Sequence, residues 1–86
     1  MNRGNLKPPV QLLERGSRMV LTLREMGRRC KQFRIDRGYY QTDVAADTGY
    51  SVENISSFET GRNDNARILL WYFERGMKPE YLFERV

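Results

Sequence analysis

Four glycines divide most of this 86-residue chain into short segments. Gly38, Gly49, Gly61 and Gly76 each follow a segment whose apolar residues recur at steps of three or four, the spacing of one helix face. Because glycine adopts a left-handed backbone at little cost, a glycine in that place is typical of a helix end. The alternating apolar and polar residues of a strand, and the Asn-Gly or Asp-Gly turns of a hairpin, do not occur. The sequence therefore predicts an all-α fold of short helices.

The first predicted helix begins at about Ser17 and ends before Gly38. One apolar stripe runs along it at steps of four, three, four and three, formed by Met19, Leu23, Met26, Cys30 and Phe33. Its opposite side carries three cations, Arg24, Arg28 and Lys31. A solvated charged face is the default interpretation of these three side chains.

Four further helices are expected over residues 41–48, 52–60, 66–75 and 79–86. Ser51 is a suitable N-cap for the third helix, and Pro79 suits the first position of the fifth. The side chains predicted to face inward from the second, third and fourth helices are Val44, Ala45, Ile55, Phe58, Leu69, Leu70 and Phe73. The predicted fold is therefore a compact five-helix bundle over residues 19–86.

An N-terminal arm precedes this bundle. Residues 1–18 contain Gly4, Gly16 and the pair Pro8 and Pro9, and paired prolines prevent a continuous helix across them. We expect this arm to be partly flexible and to stand outside the helical domain.

Composition excludes several classes of function. The chain has no histidine and one cysteine, so zinc sites built from these residues, Ser-His-Asp triads and internal disulfides all lack the partners they need. Cys30 is expected to be a buried structural thiol. Because the sequence indicates no pocket, metal cluster or phosphate-binding loop, we expect a protein that is not an enzyme, with no catalytic residue, metal or cofactor.

Charge and hydropathy narrow the remaining classes. The longest apolar run, Ile68 to Phe73, is far shorter than the roughly 18 residues that span a bilayer, and the N-terminus lacks a signal-peptide apolar stretch. A soluble cytoplasmic protein without a membrane partner is therefore expected. Fifteen basic and eleven acidic side chains give a net charge of +4, which favours a polyanionic partner.

The stretch FRIDRGYYQTDVAADTGYSVENISSFETGRN, residues 33–63, resembles the helix-turn-helix domain of lambdoid phage repressors, Cro proteins and xenobiotic-response-element-like regulators. The resemblance extends over about residues 21–82. The features that carry it are Gln41 at the start of the second helix, Ala45 at a close helix crossing, Gly49 at the corner, Ile55 and Phe58 in the core, and the Glu-Thr-Gly ending at 59–61. Tyr40 stands where the family usually has a serine or threonine cap, Thr48 replaces the usual leucine, and the third helix has no Lys or Arg.

The resemblance implies that the outward face of the third helix, about residues 52–60, reads base edges in a DNA major groove. Asn54 can form paired hydrogen bonds with adenine, Glu53 can accept from the cytosine amino group, and Val52 can pack on a thymine methyl group. Ser57 can bond to several base edges or to phosphate. For Glu53 alone, a favourable interaction with the helix dipole is the preferred explanation, and Asn54 and Ser57 taken singly are explained as ordinary solvated residues; the resemblance favours base contact for the four together.

Two further sets of residues follow from the resemblance. The expected DNA backbone contacts are Gln41, Tyr40, Thr42, Arg37, Arg62 and Asn63. An internal ion pair between Arg34 and Glu59 is expected to orient the third helix.

These inferences predict a sequence-specific transcriptional regulator that binds double-stranded DNA as a homodimer, a repressor of a phage, prophage or mobile element in a bacterial host. The predicted dimer interface contains Trp71, Tyr81 and Phe83, because Trp71 falls outside the inward residues predicted for the fourth helix. The alternative is a protein-interaction module with the same fold, such as an antirepressor, antitoxin or polymerase-binding adaptor, whose exposed aromatic residues bind a regulatory protein partner. Because the third helix has no cation to neutralise phosphates, that alternative stays open.

Overall fold

The computed structural model describes residues 21–83. All regular elements in this part of the chain are helices, which confirms the predicted all-α class. Its elements are α1 (Leu23–Asp36), α2 (Gln41–Thr48), α3 (Val52–Glu59), α4 (Ala66–Glu74) and a 3-10 helix (Pro79–Phe83). The fifth predicted helix is therefore a 3-10 helix over its described residues. The predicted arm, Met19 and residues 84–86 lie outside the described range.

Helix α1 begins at Leu23, later than the predicted start at Ser17. Thr22 has an extended backbone, and its hydroxyl accepts a hydrogen bond from the Glu25 N–H at 3.0 Å, which caps the helix. Leu23 lies in the first turn and is 41% exposed, so its predicted place in the core is wrong. The rest of the described stripe, Met26, Cys30 and Phe33, is buried as the spacing predicted.

The core lies where α1 meets the three shorter α-helices. Phe58 of α3 and Tyr72 of α4 are fully buried and stack with ring centroids 5.9 Å apart. The other buried apolar side chains outside α1 are Val44, Ile55, Ile68, Trp71, Met77 and Leu82. Ala45, expected in the core, is only half-buried.

Helix α4 buries a different face from the predicted one. Ile68, Trp71 and Tyr72 are buried, whereas Leu70 is 53% exposed and Leu69 and Phe73 are half-buried. The run ILLWYF is apolar on every side, so periodicity cannot select the inward face. Burial of the two largest rings removes the most apolar surface from water, and it turns this face toward the core.

The corner between α2 and α3 is set by Gly49 and Ser51. Gly49 has φ +84°, a left-handed conformation that a residue with a side chain adopts at a cost, and its N–H donates to the Ala45 carbonyl at 2.9 Å. Ser51 then begins α3 by accepting a hydrogen bond from the Asn54 N–H at 3.1 Å. Only three residues separate the two helices, which pack directly against each other.

Helix α1 and the end of α3 pack backbone against backbone at two glycines. A Cβ atom on Gly27 would lie 2.4 Å from the Phe58 carbonyl oxygen. One on Gly61, whose φ is +83°, would lie 2.5 Å from Arg24 Cα. Since neither contact leaves room for a methyl group, these two glycines fix how closely α1 approaches the end of α3.

The Gly27→Ala variant is expected to melt at a lower temperature than the wild type. Helix propensity alone favours alanine by about 1 kcal/mol, but a methyl group placed against rigid backbone costs about 1 to 3 kcal/mol through overpacking. Thermal unfolding followed by circular dichroism measures the balance, with the exposed Lys31→Ala substitution on the same helix as a control. A higher melting temperature for Gly27→Ala would show that the close approach is not needed.

Candidate functional site

The amino-terminal half of α3 presents a row of exposed side chains. Glu53 and Asn54 are exposed and Val52 is 37% exposed, while Ser57, one turn further on, is half-buried. The side chains of Glu53 and Asn54 form no hydrogen bond or ion pair with any other residue in 21–83. These side chains are therefore free to contact a partner.

The opposite end of α3 is held by a buried carboxylate. Arg34 donates from Nε to Glu59 Oε2 at 2.8 Å and from Nη2 to Oε1 at 2.9 Å, so the predicted ion pair is present and bidentate. Gln41 Nε2 donates to Oε1 at 3.1 Å, and the Tyr72 hydroxyl donates to Oε2 at 2.5 Å. The Glu59 side chain is 1% exposed. One carboxylate thus joins α3 to α1, α2 and α4.

Electrostatics reinforce this cluster. The hydrogen bonds from the Arg34 guanidinium to Glu59 raise the pKa of Arg34, so it is cationic at any physiological pH. Burial, together with the hydrogen bond to Glu59, raises the pKa of the Tyr72 hydroxyl, which therefore remains a donor. Burial raises the pKa of the nearby Cys30 thiol to about 12, and Glu59 adds to this effect. Cys30 is thus an unreactive core residue, as the sequence predicted.

The start of α2 lies beside the exposed row of α3. Tyr40, Gln41 and Thr42 border one concave surface together with Val52 and with Lys31 of α1. Tyr40 is 72% exposed, and its N–H donates to Asp43 Oδ2 at 2.7 Å. The Asp43 carboxylate therefore satisfies a backbone donor at this helix start, where the sequence lacks a serine or threonine cap.

Arg37 does not lie at that surface, contrary to the predicted grouping. Its guanidinium carbon stands 4.5 Å from the centroid of the Phe33 ring, and Nη1 donates to the Arg75 carbonyl at 3.4 Å. Arg62 and Asn63 follow α3, where Arg62 is exposed and Asn63 Oδ1 accepts from the Asn65 N–H at 3.1 Å. Both arginines are exposed, but of the two only Arg62 borders a concave surface next to the end of α3.

Three cations that the sequence assigned to a solvated face lie next to Arg62. Arg24, Arg28 and Lys31, which we term the α1 basic face, border one concave surface with Thr60, Gly61 and Arg62. Their place follows from the close approach of α1 to the end of α3 at Gly27 and Gly61. The signal in the sequence was Gly27, since a glycine within a helix often marks a backbone contact.

The predicted dimer residues do not form one exposed patch. Trp71 is 2% exposed, so its predicted role in an interface is wrong. Its indole N–H donates to Asp47 Oδ2 at 2.8 Å. The guanidinium carbon of Arg75, which pairs with Asp47, lies 4.8 Å from the centroid of the Trp71 ring. Tyr81 is half-buried. Phe83 is 53% exposed and is the member of the set most open to a second chain.

Comparison with protein-family models, with curated proteins and with solved structures finds no match for this chain. No helix within residues 21–83 has the length and apolar character needed to cross a membrane. In the same range, no group of three acidic or cysteine side chains is placed to hold a metal ion.

Replacing Glu59 with alanine is expected to destabilise the fold strongly. The substitution leaves the Arg34 guanidinium buried without its counterion, a change that typically costs about 3 to 5 kcal/mol. Urea unfolding at neutral pH measures it, with the exposed Glu53→Ala as the matched control. Tyr72→Phe keeps the ring and removes only one donor, so its effect should be smaller. Wild-type stability in Glu59→Ala would contradict a supporting role for the pair.

Alkaline pH is expected to destabilise the fold through Cys30. In the unfolded chain this thiol deprotonates above its ordinary pKa of 9.0, whereas in the folded chain it keeps its proton until about pH 12. The free energy of unfolding should therefore fall as pH rises between these values, and Tyr72, whose pKa is also raised, adds to the fall. The free energy of unfolding, measured in urea at several pH values, should fall less steeply with pH in Cys30→Ala than in the wild type. The difference should correspond to about one proton released on unfolding. An unchanged slope would show that groups other than Cys30 cause the pH dependence of stability.

Proposed function

We propose that this protein is a sequence-specific DNA-binding transcriptional regulator of the helix-turn-helix type, which inserts α3 into the major groove. The observation that carries the proposal is the contrast between the two ends of α3. Val52, Glu53 and Asn54 are exposed at its start, while the buried Glu59 fixes its end to three other helices. A helix that is rigidly held and exposes polar side chains at its amino-terminal end suits groove reading.

The chemistry of the exposed row supports base recognition. Asn54 offers the paired donor and acceptor that match adenine, and Glu53 offers an acceptor for the cytosine amino group. Val52 offers a methyl surface for thymine, and Ser57 offers a hydroxyl at the inner edge of the row. The corner at Gly49 and Ser51 sets α2 beside α3, which places Thr42 and Tyr40 next to the row, where a phosphate backbone would pass.

We further propose that the regulator is a repressor of a phage, prophage or mobile element and that it binds an inverted repeat as a homodimer. The resemblance of residues 33–63 to phage repressors supports the first part. Phe83, 53% exposed at the end of the 3-10 helix, is the side chain we assign to the two-fold contact in place of Trp71. Half-site centres would then lie about 34 to 36 Å apart, one turn of the duplex.

The exposed leucine on α4 favours a second candidate function, a protein-interaction module. Leu70 is 53% exposed and borders a concave surface with Arg67 and Glu74. Protein interfaces have an apolar centre with a polar rim, and Leu70 would supply that centre here. In this alternative, Leu70 contacts a regulatory protein and α3 has no partner.

A binding selection from a random duplex library, followed by sequencing, separates the two functions. A DNA regulator should enrich one ordered motif, and an inverted repeat in that motif would show that a dimer binds. Enrichment of no motif at low salt would count against DNA reading, and loss of partner binding in Leu70→Ala would then support the module.

Asn54→Ala and Arg62→Ala are expected to affect DNA binding in different ways. Removing the Asn54 amide should relax the preference at one or two positions of each half-site and cost about 1 to 3 kcal/mol on the best site, with little change on random DNA. Removing the Arg62 cation should weaken selected and random DNA alike and lower the salt slope by about one for each phosphate that the cation neutralises. Fluorescence anisotropy at several salt concentrations measures both effects.

The control for these two variants is Glu74→Ala, an exposed substitution on α4 away from the row. It should retain the wild-type motif and salt slope. An unchanged motif in Asn54→Ala would show that α3 does not read bases through this residue.

A further inference from the structure

We infer that the α1 basic face, Arg24, Arg28 and Lys31, holds the DNA phosphate backbone beside the strand contacted by Arg62. This inference rests on the proposed function, because it assigns the cations that a groove-reading α3 lacks. Helix α3 carries one acidic side chain in its first turn and no Lys or Arg. A protein that binds DNA needs cations near the phosphates, and here they come from α1.

The three side chains share one exposed line. Residues 24, 28 and 31 follow each other at steps of four and three, which places them on one side of a helix, and all three are exposed. At 1.5 Å per residue, the line is about 10 Å long. A line of this length can meet more than one phosphate of a DNA strand that passes along it.

Lys31 connects the α1 basic face with the exposed row of α3. Lys31 borders two concave surfaces, one shared with Gln41, Thr42 and Val52, and the other shared with Arg62. Gly27 and Gly61 bring the α1 backbone into contact with the end of α3, so no layer of side chains separates the two helices there. A duplex seated on α3 therefore passes along the α1 basic face.

Two of the three charges on this face, those of Arg24 and Lys31, are available to a ligand, as is that of Arg62. Arg24, Lys31 and Arg62 form no ion pair within residues 21–83. Arg28 pairs with Glu25 at 2.5 Å, a carboxylate that Arg29 also contacts at 2.9 Å. The one acidic residue bordering the surface is Glu59, whose carboxylate is already bound by Arg34. The surface thus presents an excess of positive charge.

Two other concave surfaces of the protein lack this excess. The groove between the end of α1 and the 3-10 helix is bordered by Arg37 and Lys78 but also by Asp36 and Glu80. The surface beside Leu70 is bordered by Arg67 and Arg75 but also by Asp47 and Glu74. Each of these balances two cations with two carboxylates, so a polyanion gains little there.

The test compares two double variants that each remove two positive charges. R24Q/K31Q alters the α1 basic face, and R67Q/K78Q removes exposed cations from elsewhere on the protein. Circular dichroism first confirms that both fold. Binding to random duplex DNA and to the motif selected by the wild type is then measured by anisotropy over a range of salt concentrations, from about 50 to about 400 mM.

R24Q/K31Q should weaken binding to both DNAs by roughly fivefold to tenfold for each cation removed at about 0.1 M salt, lower the salt slope by about 0.9 for each, and leave the selected motif unchanged. R67Q/K78Q should stay close to the wild type. The charge-conserving R24K/K31R should recover most of the affinity. A wild-type slope in R24Q/K31Q, or an equal weakening in R67Q/K78Q, overturns the inference.

These experiments distinguish failure of the phosphate contact from failure of sequence reading by α3. An ordered wild-type motif with an unchanged slope in R24Q/K31Q overturns the phosphate contact and leaves groove reading intact. Salt-dependent binding of random DNA that requires Arg24 and Lys31, without any motif, supports the phosphate contact and overturns sequence reading. Equal affinity of the wild type for polyglutamate and for random DNA, at equal charge concentration, would assign the face to an acidic protein and overturn the inference.

Discussion

The carboxylate of Glu59 is the interaction on which the arrangement of the four α-helices depends. It is buried, it accepts hydrogen bonds from Arg34, Gln41 and Tyr72, and these donors come from three different helices. A charge in that position is tolerated only because a guanidinium and two neutral donors replace its lost hydration. The cluster therefore acts as a specific joint, since a helix that moved would leave a buried charge without its donors.

Contact with a partner is divided between two helices under the proposed function. Helix α3 exposes side chains suited to distinguishing bases, and α1 exposes cations suited to any phosphate backbone. The glycine contacts at 27 and 61 allow this division, because they put α1 against α3 without intervening side chains. An α3 without cations then agrees with DNA binding, because the attraction to phosphates need not come from the helix in the groove.

The sequence predicted the bounds of the helices better than it predicted which face of each helix is buried. Spacing and glycines located α2, α3 and α4 to within one residue, and the resemblance supplied the pair of Arg34 and Glu59. The inward face of α4 was wrong because six consecutive apolar residues contain no periodicity, so only the volume and hydrogen bond of Trp71 decide it. The place of the α1 basic face depends on contacts between residues more than thirty positions apart in the chain, such as Gly27 with Phe58 and Gly61 with Arg24, which no local pattern encodes.

Residues in the exposed row of α3 can be substituted with little effect on folding. Glu53 and Asn54 are exposed and have side chains without internal partners in the described part of the chain, so most substitutions of these two residues should shift stability by no more than about 0.5 kcal/mol. The folding requirement and the recognition requirement thus fall on different residues of one eight-residue helix. Under the proposed function, a lineage carrying this scaffold can acquire a new target in single mutational steps, and an engineer can randomise the same positions without redesigning the fold.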